Sequence, residues 1–468
     1  MLILVVVLFF CPLAGAESAA ITSTSREQRN LALTIYNTDL ALVKDTRAVN
    51  LPQGAFEMRF MDVAGKIDPT SVALKTVKPD GGLSILEQNY EFDLITPAKL
   101  LDKNVGKELE LVTYFEGKEV KREKAELLST NSGNVFKIEG RIHLGHPGTV
   151  ILPAMPADLN ARPTLVWLLK SRDAAGRDIE ASYLTSGINW KCDYVALVNQ
   201  KDTEVDVTGW VTINNDSGAT YGNADIKLIA GDVHRVVQPP RQAEGKRLYA
   251  AMADQAAAPQ FEEKSFFEYH MYTLTRPATI KDKQIKQMTL LSAERASVKK
   301  GYTLKTTPQF FWHPNPAKMT QKAEVTLELI NSQKNHMGIP LPAGKVRVYK
   351  YDSDKSLQFI GEDRIDHTPK DEKVRLLLGK AFDIVGERTQ TGFQKIAEHV
   401  FEQTFEIEIR NHKDEEITVT VVEPMAGDWK ITSQTSPWVK KDAFTAEFQL
   451  TVPKDGTGQL TYTVRTSQ

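Results

Sequence analysis

Residues 405–410 read Phe-Glu-Ile-Glu-Ile-Arg, and residues 417–421 read Ile-Thr-Val-Thr-Val. Successive side chains of a β-strand point to opposite faces, so each stretch carries one apolar and one polar face. The same period of two recurs far upstream. Leu31, Leu33 and Ile35 alternate with Ala32, Thr34 and Tyr36, and Val325, Leu327 and Leu329 alternate with Thr326 and Glu328. Half-buried strands of this kind belong to antiparallel sheets with one wet face, not to parallel sheets covered on both sides. Turn chemistry separates the runs: Pro52-Gln53-Gly54, Asp80-Gly81-Gly82, Ser132-Gly133-Asn134, Asp216-Ser217-Gly218, Pro342-Ala343-Gly344 and Asp455-Gly456. No sustained 3.6-residue apolar stripe appears. One short helix is expected over Pro97 to Lys103, with Thr96 as N-cap and Pro97 at the first helical position. The expected fold is mainly β: several antiparallel sandwich- or barrel-like modules, little helix, and an immunoglobulin-like sandwich at the C-terminus.

The chain of 468 residues is long enough for about three domains. Pro147, Pro153, Pro156 and Pro163 mark a connector near residue 160. The Pro- and Ala-rich stretch of about 237–264 reads as a flexible excursion. A softer break falls near Ala397. The expected organisation is therefore an N-terminal β-rich domain over 17–160, a central β domain over 161–396, and a sandwich over 397–468, all following a leader at 1–16.

That leader rests on Leu2 to Phe10, an unbroken apolar run too short to span a bilayer. Pro12 ends it, and Ala14-Gly15-Ala16 offers small residues for cleavage before Glu17, although no Lys or Arg precedes the run. Cys11 follows Phe9-Phe10, which argues against lipidation. The expectation is an exported chain, periplasmic or secreted, with no transmembrane segment in its mature form. With a net charge of −2, nothing in the composition suggests a nucleic-acid partner.

The middle and C-terminal stretches resemble a known family. Ser182-Tyr183-Leu184 with Ile188-Asn189-Trp190, Val207 to Asn214, Leu228 to Asp232, Gly338 to Tyr349 (GIPLPAGKVRVY) and Ile360 to Pro369 (IGEDRIDHTP) carry the resemblance. The family is the bacterial exported one built on domain of unknown function 4139, which includes mucoidy-inhibitor-A-like proteins. The resemblance implies a β-rich fold and export in a bacterium. It implies no reaction and no catalytic residues.

The candidate chemistry is sparse. Signatures of serine hydrolases, P-loops, dinucleotide binders and zincins are absent from the sequence. His143 and His146 form an H-x-x-H, but the surrounding residues argue for strand and turn, where this spacing separates the rings; solvent-exposed histidines are the plainer reading. Asp352 to Ser356 opens like a calcium loop, then offers Leu357 and Asp363 where an EF-hand needs Gly and Glu, so a polar hairpin turn fits better. Cys192, beside Trp190 and Tyr194, reads as a small buried apolar residue rather than a reactive thiol.

Two sets remain as candidate sites. Glu362, Asp363, Asp366 and His367, with Asp371 nearby, crowd one expected loop and could bind a divalent cation or share acid–base work. Arg364 and Lys370 lie in the same stretch and could simply pair with them. Trp429 and Trp438 in the last domain, and Phe266, Phe267, Tyr269 and Tyr272 earlier, could contact sugars or protein partners, although core anchoring is the commoner role. No catalytic residue, metal or cofactor is assigned. The leading expectation is a non-catalytic interaction or scaffolding protein of the cell envelope, meeting envelope proteins or glycans. A metal-dependent hydrolase acting on glycans or peptides and a carbohydrate-binding protein are the alternatives.

Overall fold

A computed structural model describes residues 19–78, 82–91, 95–154, 162–231, 233, 260–306, 313–315 and 317–467. The leader at 1–16 and most of the stretch 237–264 lie outside the described residues. The end of that stretch is strand: Phe261–Phe266 pairs antiparallel with Tyr269–Leu274. The chain divides into two compact units. One takes the described residues up to Asn189 together with Asn214–Lys227 and Pro277–Ile285, and the other takes Trp190–Ile213, Leu228–Arg276 and Lys286–Gln468.

The first unit contains three groups of strands. In one sheet, Thr164–Ser171 lies between Gly54–Met61 and Leu83–Glu91, antiparallel to both, and Ala19–Ser23 adds to Gly54–Met61 in parallel. In a second, Gln28–Tyr36, Leu40–Leu51, Ala175–Thr185 and Ala73–Thr76 follow one another antiparallel. Leu31, Leu33 and Ile35 are buried as their period of two requires. A buried ion pair lies within this unit. Arg47 bonds Asp45 at 2.7 Å, donates to the carbonyls of Ser23 and Met61 at 2.9 and 2.8 Å, and lies 3.5 Å over the Phe60 ring. Arg47 thereby ties the first strand to its neighbours.

The third group is a five-stranded antiparallel sheet: Arg141–Leu144, Val135–Ile138, Lys118–Ser129, Glu108–Phe115 and Thr149–Ile151. Its separate core is formed by Leu109, Leu111, Ala125, Leu127, Phe136 and Ile138. The expected helix is present at Pro97–Asp102, with the Thr96 side chain accepting from the Lys99 amide. Residues 149–151, inside the stretch from Pro147 to Pro163 whose prolines suggest a connector, instead form the last strand of this sheet.

The second unit is built on a long sheet. Its strands run Leu357–Ile365, Gly344–Tyr351, Ile188–Val198, Glu204–Asn215, Gln284–Lys305, Met319–Ile330, Lys373–Ala397, Val400–Asn411, Gly456–Ser467 and Asp428–Gln434. Ile417–Pro424, Thr445–Val452 and Trp438–Asp442 form a facing layer. Phe405, Ile407, Ile409, Leu460, Tyr462 and Val464 from one side meet Val419, Val421, Phe448 and Leu450 from the other in one core. Each such side chain contributes on the order of 2 kcal/mol by burial, an upper estimate.

Most pairings are antiparallel. Besides the pairing of Ala19–Ser23 with Gly54–Met61, two parallel ones join Ile188–Val198 to Gly344–Tyr351 and Gln284–Lys305 to Ile417–Pro424. The sheets are open, with no closed barrel among the described residues.

These units do not divide at 160/161 and 396/397. Thr164–Ser171 is sheeted with strands from before residue 160. Ala397 sits at the tip of a hairpin whose arms, Lys373–Ala397 and Val400–Asn411, pair with each other. The C-terminal core also takes in Tyr302, Leu304, Ala323, Ala381 and Ile384. Turn-rich composition marks where strands end, but not which strands share a core.

Candidate functional site

The acidic stretch is split: Glu362 and Asp363 fall on an edge strand, and Asp366, His367 and Asp371 lie in the loop after it. Leu357–Ile365 ends the long sheet and pairs only with Gly344–Tyr351 among the described strands. Glu362 and Asp363 are adjacent on it, so they point to opposite faces. Glu362 is paired with Lys345 at 3.0 Å and Arg347 at 3.5 Å, and the Lys345 bond holds its carboxyl below the usual range. Asp363 accepts the amides of Arg364 at 2.8 Å and Leu377 at 2.7 Å. Asp366 and His367 follow the strand, both exposed. The His367 ring accepts from the Ala343 amide at 3.1 Å, and the Asp366 carbonyl accepts from the Thr368 hydroxyl. Among the described residues no three His, Cys, Asp or Glu side chains gather as metal ligands.

What the stretch borders is a turn and a cleft. The turn is Gly338 to Gly344, held by buried side chains. Asn331 donates to the carbonyls of Ile339 and Pro369 at 2.7 and 2.9 Å. Tyr272 donates to Pro340 and Tyr194 to Pro342, at 2.8 and 2.7 Å. Leu341 and Thr368 exchange backbone hydrogen bonds. Gly344 is opposite Cys192 in the parallel ladder, where a Cβ would stand 2.3 Å from the Cys192 carbonyl oxygen. No larger residue fits there without moving backbone.

The cleft, of about 230 Å³, is lined by Val198, Asp202, Lys300, Val325, Leu327, Lys350, Ile360, Leu378, Gly379 and Lys380. Asp202 comes from the turn after Ile188–Val198, at φ +57°, and the Asn199 side chain accepts the Thr203 amide across it. Lys300 and Lys350 arrive from two different strands and bond the two Asp202 oxygens at 2.6 and 2.5 Å. Burial would raise the Asp202 pKa, but the two lysines more than offset it and hold the carboxyl below its ordinary value. Burial likewise disfavours the Lys300 ammonium; the Asp202 hydrogen bond, with Tyr302 adding to it, outweighs this and raises its pKa. Lys380 enters through an irregularity: Gly379 has φ +142°, and the register with Met319–Ile330 shifts beside it. The Lys380 side chain makes no ion pair or hydrogen bond among the described residues, and Glu324 stands opposite it on the neighbouring strand.

Sequence reasoning missed this cleft. Its charged residues lie at 202, 300, 350 and 380, each an ordinary polar position on a strand or turn. No spacing signal could have joined them.

The other candidates disperse. His143 is exposed on its strand. His146 is half-buried rather than exposed, accepting from the Gly148 amide at 2.9 Å, 3.5 Å from Glu123 and edge-on to Phe136. Asp352 to Ser356 is a hairpin turn closed on itself by Asp352–Ser356 and Lys355–Asp352 backbone bonds. Cys192 is buried, and burial pushes its thiol up to about 12.

Trp429 is buried, with its indole N–H on the Ala443 carbonyl at 2.7 Å; Trp438 packs 5.8 Å from it and 6.3 Å from Phe448. Both belong to the C-terminal core. Tyr272 is buried against Trp190, whereas Phe266 and Phe267 are exposed. No helix among the described residues is long and apolar enough to cross a membrane.

No curated protein matches the chain. A family model, described as "Domain of unknown function (DUF4139)", matches residues 179–467 and so takes in Gly338 to Gly344, the edge strand and all four charged residues of the cleft. By that match over more than half its length, the chain belongs to the family built on this domain of unknown function.

Proposed function

We propose that this chain is an exported, partner-binding protein of the bacterial cell envelope, working through an exposed sheet edge and carrying out no reaction of its own. The observation that carries the reading is the edge strand Leu357–Ile365. Its first four residues are all exposed, and they include Leu357, Phe359 and Ile360, with Phe359 more than half accessible. An edge strand offers backbone N–H and C=O groups that a partner strand can pair, while alternate side chains supply specificity. Natural edges are usually blunted by Lys or Pro, and Leu357 to Ile360 contains neither. Export is supported by Leu2 to Phe10 and the small residues Ala14-Gly15-Ala16.

Photo-crosslinking in bacterial cells tests the reading, with a benzophenone side chain placed at position 359. One reproducible envelope adduct, lost when prolines placed singly at Leu357 and Gln358 reach the one of the two whose N–H faces outward, is the expected result. Absence of any adduct, or an adduct indifferent to those prolines, would refute it. Mass determination of the mature chain tests the export half, which requires a start near Glu17.

A further inference from the structure

We infer that the edge strand Thr149–Ile151 is an acid-released element, unpaired from its sheet when the His146 ring takes up a second proton. His146 lies in the turn that leads into this strand. The Gly148 N–H donates to His146 Nδ1 at 2.9 Å, and His146 Nε2 lies 3.5 Å from a Glu123 carboxylate oxygen. The neutral ring therefore carries its proton on Nε2 and uses Nδ1 as the acceptor. A charged ring carries protons on both nitrogens. Nδ1–H then faces the Gly148 N–H, donor against donor, and the bond that shapes the turn is lost.

The surroundings leave the ring little room to escape. Its side chain is 11% exposed and lies edge-on to Phe136. A Cβ on Gly148 would stand 2.8 Å from Nδ1 and 2.9 Å from the Val112 carbonyl oxygen, so ring, turn and neighbouring strand fit without slack. The charged and titratable groups around the ring are Glu123 and Lys121 on Lys118–Ser129, and His143, opposite Phe136 on the next strand. Glu123 attracts an imidazolium, but Lys121 already pairs with its other oxygen at 2.7 Å, so the second proton gains little there. A partly buried amide left without its acceptor shifts a local opening equilibrium by roughly tenfold. The turn is therefore what gives way. The strand it holds is short. Its three residues pair with residues 110–112, and Val150 and Leu152 rest on the core formed by Leu109, Leu111 and Phe136. Release leaves the edge of Glu108–Phe115 unpaired and uncovers that core.

Hydrogen-exchange mass spectrometry on the full chain tests this at about pH 8 and about pH 5, the span in which histidine side chains change charge. Each rate is compared with that of the unstructured chain at the same pH. In the wild type, protection of residues 149–151 should fall roughly tenfold or more in acid. His146→Asn supplies an oxygen that accepts the same amide two residues on, as in an Asx-turn, and does not titrate; its strand should be equally protected at both pH values. His146→Ala supplies no acceptor, and its strand should exchange fast at both. Three results would overturn the inference: wild-type protection that does not fall in acid, an equal fall in His146→Asn, which would assign the effect to Glu123 or His143, or a His146→Ala strand as protected at the higher pH as the wild type.

Discussion

Replacing Glu423 by Ala should destabilise the C-terminal core more than any single truncation of an apolar neighbour's methyl group. Glu423 is fully buried, and Arg388 is 3% exposed. Arg388 donates to Glu423 Oε2 through Nε and Nη2 at 3.0 and 2.9 Å, and the Tyr462 hydroxyl donates to the same oxygen at 2.5 Å. The guanidinium also lies 3.8 Å over the Phe405 ring. Removing the carboxylate leaves a buried cation without its counter-charge, which costs about 3–5 kcal/mol.

The pair itself is a poor net stabiliser. Glu423 Oε1 is buried with no hydrogen-bond partner, a defect of about 1–3 kcal/mol. An apolar replacement of both partners, Arg388→Met with Glu423→Leu, should therefore cost less than the single variant, about the 1–3 kcal/mol of the buried Tyr462 hydroxyl that loses its partners. Hydrogen-exchange mass spectrometry on Val400–Asn411 and Gly456–Ser467, the strands beside the pair, reads the opening free energy locally. Thermal scans should show the single variant melting about 6–20 °C lower, at roughly 2–4 °C per kcal/mol. A single-variant cost under about 1 kcal/mol, or a double variant costing the sum of both singles, would refute the reasoning.

Three further outcomes follow from the same geometry. Cys192, buried and with its thiol pushed up to about 12, should resist maleimide in the native chain and react fully once urea exposes it; rapid native labelling would contradict its placement. Gly344→Ala should cost about 1–3 kcal/mol, because its new methyl meets the Cys192 carbonyl at 2.3 Å, and an unchanged melting temperature would show that the two strands are not this close. The Asp202 pKa is depressed, so the stability it contributes is fully present above about pH 3.9 and is lost as pH falls through the lower folded value. Asp202→Asn should thus be less stable than wild type at neutral pH and indistinguishable near pH 2; a deficit that persists in acid would mean the residue acts through packing rather than charge.

Period-two burial was legible in several runs. Leu31, Leu33 and Ile35 are buried on one face, as are Phe405, Ile407 and Ile409. The helix at Pro97 was equally visible, because its N-cap and its proline act within one turn of chain. Glu362 to His367 was identified as a chemically dense stretch but assigned whole to a loop. The residues are polar on both faces, and an edge strand with little to bury loses the alternation that would betray it.

Residue types and their order determined that this chain forms strands, where its turns fall, that one of them ends at Gly344, and that residues 2–10 are an unbroken apolar run. Those are local properties, set by backbone preference and by side chains within a few positions. The cleft was decided only by tertiary structure. Lys300 and Lys350, 50 residues apart in the chain, meet on the two oxygens of Asp202 because strand pairing brings them there. Charges act through space, and the distance between two strands of a sheet is not written in the number of residues between them.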